Sequence, residues 1–134
     1  MGVHALEPAP IGSARIGRRI ADALSDNRIV EVVAGPGWGK STQLRAVARG
    51  FGVERVSLDA PVRTLGELSR RLASASEDLW VVDGAEHLLA VPGVAEGFTR
   101  ALLDTPDRSV LLGTRRHLGT LSGAVADGTV GVLT

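Results

Sequence analysis

The sequence predicts an α/β fold, a three-layer α/β/α sandwich around a mostly parallel five-stranded sheet. Three observations lead there. Apolar runs alternate along the chain with segments of helical periodicity, the pattern of strands joined by crossover helices. Two of those runs, Leu79-Trp80-Val81-Val82 and Val110-Leu111-Leu112, are continuously apolar, as parallel strands buried on both faces must be. The stretch AGPGWGKST, Ala34 to Thr42, lays glycines between an apolar run and a helix-forming segment, so that strand, glycine loop and helix succeed one another.

Residues 1–13, with Pro8 and Pro10 and little periodicity, read as an extended leader, and residues 14–134 as one domain. Ser13 is placed to cap a first helix whose Ile16, Ile20 and Leu24 make one apolar stripe before Asp26-Asn27 turns the chain. Ile29 to Val33 is the first strand. After the glycine loop, Leu44, Val47 and Ala48 form the face of a helix turned to the sheet, and Gly50 is positioned to stop it. Val53 to Leu58 alternates like a strand with one wet face, which suits a sheet edge. Thr64-Leu65-Gly66-Glu67 has the form of a capping box, and Leu65, Leu68 and Leu72 carry a helix on to about Ala75. Residues 76–78 turn the chain into the run from Leu79, which delivers Asp83 at its C-terminal end. Val94, Phe98, Ala101 and Leu102 mark a further helix ended near Pro106. The Val110 run leads into Gly113-Thr114-Arg115. A short helix or turn over 118–126 precedes a last strand, Val130 to Leu133.

In such a sheet, ligands sit at the C-terminal ends of the strands, where the glycine loop, Asp83 and Arg115 all fall. Gly35, Gly37 and Gly39 let successive backbone N–H groups turn toward one anion, and the helix beyond them adds its positive N-terminal end. Pro36, Trp38 and Thr42 complete the loop, with Trp38 placed to shield it from water. Lys40 is a compact cation for the β- and γ-phosphates of a nucleotide, and the Ser41 hydroxyl is a ligand for Mg²⁺. The pattern G-x-x-x-x-G-K-[ST] is met except at its first position, which is Ala34. The chain has fourteen arginines and one lysine, and that lysine is Lys40. Lysine is thus used where a slim point charge is needed and a planar guanidinium would clash.

Asp83, at the end of a strand neighbouring the loop, reads as the carboxylate that completes the Mg²⁺ coordination begun by Ser41, or as a cap on the next segment. Gly84 stands where many ATPases of this architecture carry an acid to orient water. Glu86 is the nearest substitute, its other reading being a solvated loop acid. Arg115 can point across the sheet edge at a γ-phosphate, in competition with Arg116, or stand exposed at the strand end. His87 and His117 lie near the same edge as structural or solvated histidines, and Trp80 reads as core.

Composition excludes other chemistries. Fifteen basic and fifteen acidic side chains balance, and no basic face or tail points to a nucleic acid. Without cysteine there are no disulfides, thiolate metal sites or thiol nucleophiles. No signal-peptide core or membrane-length apolar stretch is present, so a cytoplasmic protein is expected.

AGPGWGKST, LWVVDGAEHL and VLLGTRR, in that order, resemble the phosphate loop, Mg²⁺-binding strand and strand-end arginine of the STAND signalling ATPases, which are P-loop NTPases with a RecA/ASCE-like core. The likeness is to the nucleotide-binding domain of large LuxR-type transcription regulators similar to the maltotriose-responsive activator, and VSLDAPVRTLGELSRRLASA is similar to that family's second strand and helix. The resemblance implies ATP/ADP switching with Mg²⁺ that controls self-association or contacts with other domains, with Lys40, Ser41, Asp83 and Arg115 in the roles given above. Gly84 and Ala34 depart from the family pattern. The lid, the sensor repeats and the DNA-binding helices are not in these residues, so a fragment or a minimal relative is expected, with low ATPase activity in isolation. Two rivals stand beside this reading: a small P-loop kinase, and an interaction module that has kept the fold and lost the ligand.

Overall fold

The computed structural model describes residues 11–35, 39–73, 78–104 and 107–134. The strands are β1 (Ile29–Val33), β2 (Arg55–Ser57), β3 (Leu79–Asp83), β4 (Ser109–Thr114) and β5 (Val130–Leu133). The helices are α1 (Ile11–Asp26), α2 (Lys40–Phe51), α3 (Leu65–Leu72), α4 (Val94–Leu103) and α5 (Ser122–Ala126), with 3₁₀ turns over Ala85–Ala90 and Gly119–Leu121. All strand pairs are parallel, in the order β2-β3-β4-β1-β5. This is the α/β architecture that the sequence predicts, with β2 at the expected edge.

Alternation of side chains across the sheet divides the core in two. On one face Val30, Val32, Val81 and Leu111 pack with Ile20 of α1 and with Leu44 and Ala48 of α2. On the other, Ile29, Val82, Val110 and Leu112 pack with Leu68 and Leu72 of α3, Phe98 and Leu102 of α4, and Leu118 and Leu121. Trp80, expected in the core, packs at its margin with the Arg108 guanidinium 3.9 Å from the ring centroid, an arrangement in which the ring face attracts the cation.

Several boundaries differ from expectation. The helix α1 begins at Ile11, so Ser13 lies within it rather than ahead of it; the rest of the leader, residues 1–10, lies outside the described residues. The helix α2 runs through Gly50 and ends on Gly52, whose φ of +70° turns its N–H back to the carbonyls of Ala48 and Arg49. Glycine is tolerated inside a helix, but only the second of the two takes the left-handed conformation that stops it. The strand β2 keeps three residues of the six-residue run, pairing Arg55, Val56 and Ser57 with Val81, Val82 and Asp83, while the Val53 N–H is taken by the Ala48 carbonyl at the end of α2 (2.9 Å). At α3 the Thr64 hydroxyl accepts from the Glu67 N–H at 3.0 Å, one of the two bonds of the capping box that the sequence predicts.

Candidate functional site

The helix α2 starts at Lys40, and Gly39 before it adopts φ +79°, a conformation that costs a glycine little. The first turn therefore carries Lys40, Ser41 and an exposed Thr42 directly at the C-terminal edge of the sheet. Ala34, buried, is stitched to the neighbouring strand by its N–H to the Thr114 carbonyl at 3.0 Å. Gly35 has open space on its side-chain face. Pro36, Gly37 and Trp38 of the expected loop lie outside the described residues.

Asp83 is the meeting point. It ends β3, 4 % exposed. Lys40 Nζ donates to Oδ1, and the Ser41 hydroxyl donates to Oδ2 at 2.5 Å. The strand that neighbours β1 is β4, not β3, so Asp83 reaches the loop's helix across an intervening strand. That crossing depends on Gly113. It is in register with both Val32 and Asp83, and a Cβ there would fall 2.2 Å from Leu44 Cδ1 and 3.1 Å from Asp83 Oδ1. The absent side chain leaves the lane through which the carboxylate and the helix approach each other. A third donor, which sequence reasoning missed, is Arg55 of β2: its Nη1 gives a 2.9 Å hydrogen bond to Oδ2. Burial pushes the Asp83 carboxyl pKa up, but hydrogen bonds from Lys40 and Ser41 and the charges of Lys40 and Arg55 together outweigh it, leaving the group below its ordinary value of 3.8.

Glu86 and Arg115 form a separate pair. Glu86, in the 3₁₀ turn after β3, accepts the Arg115 N–H at Oε1 (3.1 Å), and its Oε2 lies 4.0 Å from both Arg115 Nε and His87 Nε2. The Thr114 side chain closes the turn behind them by donating to the Arg116 carbonyl at 2.7 Å and accepting the Arg116 N–H at 3.3 Å. The Arg115 side chain is left 64 % exposed. Gly84 holds φ +80°, and a Cβ on it would fall 2.0 Å from the Leu58 carbonyl oxygen, because the Leu58 N–H bonds the Asp83 carbonyl at 2.8 Å and draws the two backbones together. The missing acid after Asp83 is thus a consequence of backbone geometry.

His117 has a partner that sequence reasoning did not find. Glu31, in the middle of β1 and completely buried, accepts from His117 Nδ1 at 2.5 Å and from the Leu118 N–H at 2.7 Å, while His117 Nε2 meets Ser122 Oγ at 3.2 Å. The one charged residue in the otherwise apolar run IVEVV was the available signal.

Among the described residues no group of three or more His, Cys, Asp and Glu side chains is arranged to hold a metal. What is present, a hydroxyl and a carboxylate oxygen 2.5 Å apart, fits Mg²⁺, which takes few protein oxygens and fills its remaining positions with water and phosphate.

No protein-family model matches the sequence, and no curated protein matches it. In structure it is similar to the crystal structure of a DNA replication initiation factor, with a TM-score of 0.57, 13 % sequence identity, and coverage of 96 % of this chain and 48 % of that one. The chain spans about half the length of that neighbour. The likeness is one of fold, an α/β architecture around a parallel five-stranded sheet. Among the described residues no helix is long and apolar enough to cross a membrane.

Proposed function

We propose that this chain is the nucleotide-binding core of a STAND-type signalling or transcription-regulating ATPase, binding ATP or ADP with Mg²⁺ and hydrolysing ATP slowly. The observation that carries the reading is the convergence of Lys40 and Ser41 on Asp83. A lysine, a hydroxyl and a carboxylate held at the mouth of a strand–loop–helix unit are the groups that a polyphosphate and its dication require. With nucleotide bound, Lys40 would turn from Asp83 to the phosphates, and Ser41 and Asp83 would hold Mg²⁺, which would neutralise phosphate charge. In this reading the phosphates sit between Gly35 and the first turn of α2, where Gly39 and Thr42 lie beside them.

Slow turnover results from Gly84. No side chain can be placed there to orient water, and Glu86, the remaining candidate base, is engaged with Arg115. Arg115 reads the γ-phosphate by leaving Glu86 for a more strongly charged partner. Self-association, or docking onto other domains of a larger regulator, is the output of that exchange.

Calorimetry with ATP and ADP on the unmodified chain and on Lys40→Ala tests the assignment. Binding should fall about a hundredfold or more in the variant, the loss of a charge-assisted contact, while far-UV circular dichroism stays unchanged. Equal affinity in the two proteins overturns the phosphate-loop reading. Single-turnover hydrolysis should run well below about 1 per second, the low end of ordinary enzymes, and a faster rate refutes the slow-turnover claim.

A further inference from the structure

Asp83 is bonded by two cationic side chains, Lys40 and Arg55, besides the Ser41 hydroxyl. Arg55 is paired in register with Val81, and its side chain extends along the same face to Asp83, two residues further on. It ends on Oδ2, the oxygen that the Ser41 hydroxyl also uses. Its side chain is 21 % exposed, against 64 % for Arg115, so the edge of the sheet holds it in place. Lys40 takes the other oxygen. Two cations thus stand on one carboxylate, and among the described residues no second carboxylate joins the cluster.

We propose that Arg55 is a positioning residue that supplies part of the charge a metal would bring, and so sets how much Mg²⁺ adds to nucleotide affinity. The inference rests on the nucleotide reading above. A dication entering between Ser41 and Asp83 meets a fixed positive charge at the oxygen it needs, and must displace a charge-assisted hydrogen bond to reach it. A guanidinium does not lose its proton in the working pH range, so this competition is permanent. The same charge attracts a polyphosphate whether or not metal accompanies it. The site is therefore built to keep a nucleoside di- or triphosphate when free Mg²⁺ is scarce.

The measurable quantity is the ratio of nucleotide affinity in excess Mg²⁺ to that in excess chelator, determined with ADP and ATP by calorimetry. Arg55→Gln should raise this ratio about tenfold, a usual scale for coupling between two bound groups, through weaker binding in chelator and stronger binding in Mg²⁺. Arg55→Lys, which restores the charge, should return the ratio to within about threefold of the unmodified chain; a purely structural role would not be rescued in this quantity. If Arg55→Gln does not fold, Arg55→Met keeps the packed stem without the charge. Titration with Mn²⁺, read by electron paramagnetic resonance in the absence of nucleotide, should show tighter metal binding in the uncharged variants. An unchanged ratio and unchanged Mn²⁺ affinity overturn the role of Arg55 alone. If the unmodified chain binds nucleotide in neither buffer, the nucleotide reading falls, and this inference falls with it.

Discussion

Among the described residues two carboxylates lie buried in this sheet, one on each face, and they are held in opposite ways. Asp83 is surrounded by the ends of long or rotatable side chains: an ammonium, a guanidinium and a hydroxyl. Each of these can turn to another partner without unfolding anything. Glu31 is held by a backbone N–H and by an imidazole whose other nitrogen meets Ser122. A backbone donor cannot leave unless the chain moves with it. Exchangeable donors make a site, and fixed donors make a brace; burial alone does not separate the two, since Asp83 is 4 % exposed and Glu31 not at all.

The contrast is tested most directly at the brace. Glu31→Ala should cost about 3–4 kcal/mol in urea unfolding, because it leaves a buried N–H unpaired and opens a cavity within the β1–β4 core. A loss under about 1 kcal/mol would show that Glu31 braces nothing. Gly84→Glu, which restores the usual acid after Asp83, should destabilise by about 2–3 kcal/mol through its positive φ and the clash with the Leu58 carbonyl, and should not speed hydrolysis. A folded variant with faster single turnover would refute the geometric account of the missing acid.

Asp83→Asn should cost less, about 1–2 kcal/mol, since the amide keeps the shape and one acceptor oxygen. Here the pH dependence separates site from brace. The folded-state pKa of Asp83 is depressed below 3.8, so its ion pairs contribute stability above that pH, and the contribution is lost as pH falls through the folded value. Acid unfolding of Asp83→Asn should accordingly be flatter below about pH 4 than that of the unmodified chain; parallel curves would remove Asp83 from the charge cluster. The smallest effect belongs to His117→Asn, below about 1 kcal/mol, because the imidazole is 39 % exposed and Glu31 retains the Leu118 N–H. If this variant instead unfolds as readily as Glu31→Ala, the imidazole and not the backbone donor is the essential half of the brace.

The sequence showed those parts of the molecule that depend on short spacing. Four strands were visible from apolar runs, β2 and its edge position from alternation, and Lys40, Ser41 and Asp83 from a loop motif and a strand end. What escaped was whatever depends on register between distant segments. Arg55 reads as the wet side of an edge strand until β2 is laid beside β3. Gly113 reads as a weak point in an apolar run until Leu44 and Asp83 are seen on either side of it. Glu31 passes as one residue of an apolar run, because its partner lies 86 residues away. Gly50 was expected to stop the helix, and only the backbone angles show that Gly52 does so instead.

The bond between the Ala34 N–H and the Thr114 carbonyl joins the glycine loop to β4 one peptide unit before Arg115. That bond extends the parallel β1–β4 ladder one rung beyond the Val33–Thr114 pair, so the first residue of the loop and the peptide unit ahead of Arg115 share one attachment to the sheet. The Ala34 amide is the strain gauge of that connection: its rate of deuterium uptake reports whether the loop and the arginine move together or apart, and it can be followed without any assay of turnover.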